Sequence, residues 1–142
     1  MNRRAESRTL NEIVGVEAGS RAKKQTTVEF LQLVVRGQID EAFQKHVDLS
    51  GKHHNTMVSA GFPALKKAMV ENHAQFPNKQ LEVKNVLEEN GLVAVHSSLL
   101  IQHGQPRVVV VHLFRFRGDK IVEMWDVGQT VPVDSPNKDG PF

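Results

Sequence analysis

The spacing of apolar residues changes once along this chain, at Lys79, and that change limits the fold more than any other feature. Before it, apolar positions recur at helical intervals. Thr26-Thr27-Val28-Glu29 offers a capping box, Val28, Leu31, Val34 and Val35 form a stripe, and Gly37 supplies a stop. A second short helix is predicted over 39–47, with Ile39, Phe43, His46 and Val47 on one face. Residues 48–61 read as a loop with room for a short edge strand. Pro63 suits the first turn of a third helix, whose inner face carries Leu65, Ala68, Met69, Asn72 and Phe76. After Lys79 the period is two. Leu81, Val83, Asn85 and Leu87 alternate with charged residues, and Asn90-Gly91 signals a type I′ hairpin. Strands follow over 92–103, 107–117 and 120–131, with turns at Gly104-Gln105 and Gly118-Asp119. Three helices followed by a four-strand antiparallel meander predict an α+β fold, with the helices packed on one face of a curved sheet.

The domain spans 25–136. Residues 1–24 are expected to be a flexible arm; Ile13, Val14 and Val16 leave open a short helix or strand packing on a partner subunit. Residues 137–142 are expected to be an irregular tail. The arm holds six basic and three acidic residues, +3, which leaves −1 for the remainder of a chain whose net charge is +2. The folded part is therefore not a basic nucleic-acid surface, and no nucleic-acid partner is expected. No apolar run is long enough to span a bilayer, so no membrane partner is expected either. The chain has no cysteine and no tyrosine. Disulfides, thiolate metal sites and phenolic acids are excluded, and acid–base chemistry falls to His, Asp, Glu or Lys. The lack of cysteine and of an apolar leader fits a cytoplasmic protein.

Hairpin arithmetic assigns the sheet faces. A two-residue Gly104-Gln105 loop pairs Ser97 with His112 and Val95 with Phe114. One face then carries Val93, Val95, Ser97, Leu99 and Ile101 beside Val108, Val110, His112, Phe114 and Phe116. It is apolar except for Ser97 and His112, so it should meet the helices. The other face, with Ala94, His96, Ser98, Leu100, Val109, Val111, Leu113, Arg115 and Arg117, is too apolar for free solvent and suggests a homodimer interface.

Two polar residues stand out. His112 lies in the greasy row and is either a core histidine satisfied by Ser97 or a backbone carbonyl, or a pocket histidine that binds a ligand carbonyl or acts as an acid. Asp126 lies mid-strand among apolar neighbours, where desolvation would raise its pKa and suit it to be a general base. An arginine or backbone N–H partner is the alternative. Whether the two share a face depends on the Gly118 turn. A strict two-residue loop pairs His112 with Trp125; a three-residue loop with a glycine bulge pairs it with Asp126.

The segment Gly118-Asp119-Lys120-Ile121-Val122-Glu123-Met124-Trp125-Asp126-Val127, continued by Gln129-Thr130-Val131-Pro132, resembles the last-strand motif of SnoaL-like proteins, a branch of the nuclear-transport-factor-2-like superfamily. Val111-His112-Leu113-Phe114-Arg115 resembles the penultimate strand, and Lys52-His53-His54-Asn55 resembles the Gln-His-Asn-Pro segment of that family. The resemblance covers about residues 24–136. It implies a cone-shaped fold, usually homodimeric, around a pocket for a small apolar or carbonyl-containing ligand. The polyketide cyclases of the family close a ring by an intramolecular aldol step without a cofactor. Carried over residue by residue, the resemblance implies Asp126 as acid/base, His112 beside it, and His54 and Asn55 at the pocket mouth. Met124 stands where many relatives have His, and Thr56 where they have Pro. Ser97, Val110, Phe114 and Met124 are the further candidates for substrate contact.

No metal is expected. Seven histidines are present, but they fall on separate elements without ligand spacing, and adjacent His53 and His54 would point oppositely in a strand. Nucleophile elbows and phosphate loops are absent. Two readings remain: a cofactor-independent enzyme performing aldol-type cyclisation, isomerisation or a related lyase or hydrolase step, and a non-catalytic ligand-binding or dimerisation module. They differ in whether Asp126 and His112 converge in one cavity.

Overall fold

In the computed structural model, which describes residues 9–142, helices come first and a five-stranded sheet follows. Helix α1 runs Leu10–Val35, α2 Ile39–His46 and α3 Phe62–Gln75. The strands are β1 Val47–His53, β2 Gln80–Glu89, β3 Leu92–Leu100, β4 Val108–Arg117 and β5 Lys120–Thr130. The sheet order is β1-β5-β4-β3-β2, with β1 parallel to β5 and the other pairs antiparallel. Its edges stay open, so it is a curved sheet and not a closed barrel. Among the described residues no helix is long and apolar enough to cross a membrane.

Helix α1 begins earlier than its apolar stripe suggests. Thr9 is the N-cap: its backbone N–H donates to Glu12 Oε2 at 2.8 Å, and Glu12 N–H donates to Thr9 Oγ1 at 3.3 Å. The T-x-x-E pattern occurs twice, at Thr9 and at Thr26, and the first copy is the helix start. At the second, Thr27 is internal and donates its hydroxyl to Lys23 O at 2.8 Å. Residues 10–24, expected in a flexible arm, are therefore helical and continuous with the domain. The part of that expectation covering residues 1–8 lies outside the described residues. The helix ends as expected at Gly37, where a φ of 84° allows Gly37 and Gln38 N–H to reach the Val34 and Leu33 carbonyls.

The core lies between the helices and one face of the sheet. Phe30, Phe43, Phe62 and Phe114 are fully buried and meet edge to face, with ring centroids 5.5–6.2 Å apart. Val93, Val95, Ser97, Val110, Phe114 and Phe116 are buried, as expected of the inner face; Leu99, Val108 and His112 on it are part-buried, and Ile101 falls in the loop after β3.

The register on that face differs from the ideal-turn expectation. Strand β3 stops at Leu100 and β4 starts at Val108, so the connection is a seven-residue loop and not a two-residue turn. Val95 opposes His112, and Ser97 opposes Val110. The slip is by two residues. Because side chains alternate with period two, both strands keep their faces while every partner changes. The Asn90-Gly91 turn forms as expected, with φ of 51° and 78° at its two central residues.

The outer face carries Val111, Leu113, Trp125 and Val127. Phe142 returns to it: its ring centroid lies 5.9 Å from that of His96 and 5.2 Å from Lys84 Nζ.

Candidate functional site

The relation between β4 and β5 decides the site. Arg117 pairs with Lys120 and Phe116 with Ile121, so Gly118-Asp119 is a two-residue turn. Beyond it Arg115 pairs with Glu123, which leaves Val122 as an extra residue on β5. From that bulge onward the register places Met124 opposite Phe114 and Asp126 opposite His112. The tight turn and the His112–Asp126 pairing, alternatives under ideal turn geometry, coexist because the bulge lies in the strand and not in the loop.

Strand β1 holds the bulge from the other side. Its register to β5 also slips between Val47 and Lys52. A Cβ at Gly51 would run into the Val122 carbonyl and come within 2.6 Å of the Phe62 ring. Glycine is therefore the residue that fits there.

A cavity of about 360 Å³ opens between this part of the sheet and the helices. Phe30, Leu31 and Val34 of α1, Leu65 and Met69 of α3, and Phe114 and Met124 of the sheet give it mostly apolar walls. Polar groups enter at two ends. His53, Asn55, His112 and Asp126 form one group; Asn72 and Lys79 form the other.

His112 lines the cavity with its Nδ1 buried and without a hydrogen-bond partner. Burial pushes its pKa down to about 4, against a smaller opposing pull from the Asp126 charge. At neutral pH the ring is an uncharged imidazole, with one N–H donor and one acceptor nitrogen. Ser97 does not satisfy it; its own Oγ is buried and unpaired. Neither Ser97 nor Val110 reaches the cavity lining; they oppose each other on the inner row and are buried there.

Asp126 sits at the mouth and is exposed, where the sequence suggested enclosure. The end of β5 projects past the helices, and residues 126–130 are all exposed. Asn55 Nδ2 donates to Asp126 Oδ2 at 3.3 Å, while Met57 N–H donates to Asn55 Oδ1 at 2.9 Å. Asn55 thus links the loop after β1 to the carboxylate.

His53 takes the place expected for His54. It is buried and lines the cavity; its Nε2 donates to Ser59 O at 2.8 Å and its Nδ1 accepts the Asn55 N–H at 3.2 Å. A carbonyl only accepts and a backbone N–H only donates, so these partners fix the tautomer. His54 points the opposite way, as neighbours in an extended chain do. It bonds Glu123 Oε2 at 2.6 Å and stacks on Trp125 at 4.9 Å. That hydrogen bond, with help from Lys52 and Arg115, holds the Glu123 carboxyl below its usual range.

Of the candidates, the structure brings Asp126, His112, Asn55, Phe114 and Met124 to one cavity and leaves His54, Ser97 and Val110 outside it. His53, Asn72 and Lys79 were missed as cavity residues. The face of His53 follows from β1 pairing with β5, which local sequence does not encode. Among the described residues no group of three or more His, Asp or Glu side chains is placed to hold a metal ion.

The family model described as SnoaL-like polyketide cyclase matches residues 25–134. No curated protein sequence gives a significant match. Among solved structures, AclR from Streptomyces galilaeus, described as a candidate hydroxylase, is 24% identical with a TM-score of 0.64 over 75% of this chain and 88% of its own. IdmH from Streptomyces antibioticus, described as a candidate polyketide cyclase, is 15% identical with a TM-score of 0.64 over 75% and 91%. An NTF-2 like protein of unknown function from Burkholderia xenovorans LB400 is 17% identical with a TM-score of 0.62 over 82% and 88%. At these identities the likeness is one of fold.

Proposed function

This chain belongs to the SnoaL-like polyketide cyclase family, and from that premise we propose that it is a cofactor-independent acid–base enzyme acting on a small carbonyl compound held in the cavity. The observation that carries the reading is that His112 and Asp126 stand opposite each other on adjacent strands and line the same apolar hollow. A few polar groups placed in a mostly apolar pocket are the usual form of a small-molecule site.

The roles follow from their surroundings. Asp126, reachable from solvent at the mouth, takes a proton from the carbon next to the substrate carbonyl. As that C–H bond breaks, its electron pair moves onto the carbonyl oxygen. His112, kept neutral by burial, donates its N–H to the developing enolate oxygen. In an aldol-type closure the enolate carbon then bonds to a second carbonyl carbon of the same molecule, and the proton on Asp126 passes to the new alkoxide. An isomerisation uses the same first step and returns the proton to a different carbon. Asn55 orients the carboxylate, and His53 holds Asn55 by accepting its backbone N–H.

The competing reading is a non-catalytic binding module, favoured by the exposure of Asp126. A crystal structure with 2-tetralone soaked into the cavity separates the two. The enzyme reading expects the ketone oxygen within hydrogen-bond reach of His112 and an α-carbon beside Asp126. A ketone lying elsewhere, or turned end for end, favours the module.

We also propose a homodimer formed through the outer sheet face, where Val127 is 69% exposed next to Leu113 and Trp125. The absence of cysteine suits a reducing compartment, and we place the protein in the cytoplasm.

A further inference from the structure

The far end of the cavity carries a cation that no acid–base step uses. Lys79 leads into β2, the edge strand farthest from β1, and Asp126 enters from β5 on the opposite flank. The Lys79 ammonium donates to Asn72 Oδ1 at 2.6 Å, a neutral partner. Among the described residues no carboxylate lies within 4.0 Å of it; Lys23, Lys24, Lys120 and Lys138 share that lack, but Lys79 is the lysine that lines the cavity. Lys79 is half-buried, and burial draws its pKa downward with no compensating negative charge. A half-buried ammonium in a cavity lined also by Leu81, Leu99 and Met69 is left short of a counter-charge that a bound molecule could supply.

The two ends of the cavity are therefore opposite in charge. A carboxylate on the ligand is repelled by Asp126 and attracted by Lys79. We propose that Lys79, with Asn72, is the anion-recognition end of the cavity, and that the natural ligand is an apolar carbonyl compound bearing a carboxylate at the end away from Asp126. The inference rests on the cavity being a ligand site, and it fixes the orientation in which the carbonyl end reaches His112. A neutral polyketide-like ketone would satisfy the acid–base reading but leave Lys79 without a counter-charge.

Isothermal titration with 2-naphthoate and 2-naphthamide, equal in shape and different in charge, tests this on the wild-type protein, Lys79→Met and Lys79→Arg. Wild type is expected to bind the acid about tenfold more tightly than the amide at neutral pH. Lys79→Met should abolish that preference, and Lys79→Arg should keep it. Equal affinities in wild type, or an acid preference that survives Lys79→Met, would overturn the assignment while leaving the cavity reading intact. Failure of both probes to bind would remove both.

Discussion

His112 and Asp126 face each other across β4 and β5 because Val122 is an extra residue in β5, and Gly51 leaves room for the carbonyl of that residue. One bulge, seated against one glycine, turns Met124 and Asp126 toward the cavity and Trp125 toward the outer face. Without it the strand beyond the turn would present Trp125 to His112 and carry Asp126 to the outer side.

Gly51→Ala is expected to destabilise the fold by about 1–3 kcal/mol, since the added methyl meets backbone on one side and the buried Phe62 ring on the other. Urea denaturation measures the loss. The same substitution should perturb the amide signals of Val122 through Asp126 more than those of β2. A cost below about 0.5 kcal/mol would show that the bulge is not held this way.

Much of this arrangement was legible in the sequence. The change of period at Lys79, the Asn90-Gly91 turn and the greasy row interrupted by His112 gave the fold class and the inner face. The Val122 bulge was not legible, because nothing local marks it; it is set by pairing with both β1 and β4. The confusion of His53 with His54 has the same origin, since their faces depend on a parallel partner more than 65 residues away. The first half of α1 was hidden for a different reason. Its residues are largely exposed, so the helix forms without the buried stripe that periodicity detects.

His112 makes folding pH-dependent. Its ordinary value of 6.5 falls to about 4 in the folded protein, so the unfolded chain takes up this proton first on acidification. Stability is fully present above pH 6.5 and falls as the pH drops toward 4, by roughly 3 kcal/mol from this group. His46 is lowered by burial too and adds to the same slope. Urea midpoints at pH 7 and pH 4.5 for wild type and His112→Asn isolate the share of His112. The variant should show the smaller drop; equal drops would contradict the burial of the ring.

Asn55→Ala removes both the donor to Asp126 and the acceptor for Met57 N–H. The expected cost is about 1 kcal/mol in stability, as for a lost local cap. Activity on a ketone substrate should fall about tenfold in kcat with little change in KM, because the carboxylate is still present but less well oriented. A change confined to KM would place Asn55 in binding alone.

Val127→Lys puts a charge at an exposed position on the outer sheet face. Light scattering coupled to size exclusion should show a wild-type dimer and a monomeric variant with unchanged circular dichroism. A monomeric wild type would remove the dimer from the account.

The central claim is that Asp126 moves a proton on a ketone held against His112. Proton NMR in D₂O, following deuterium exchange at the α-carbons of 2-tetralone, measures that step without requiring the natural substrate. Wild type should accelerate exchange above the buffer rate, His112→Phe should reduce the acceleration by about 10–100-fold, and Asp126→Asn should abolish it while keeping its fold within about 0.5 kcal/mol. Exchange by Asp126→Asn at the wild-type rate, or none above buffer from wild type, would contradict it.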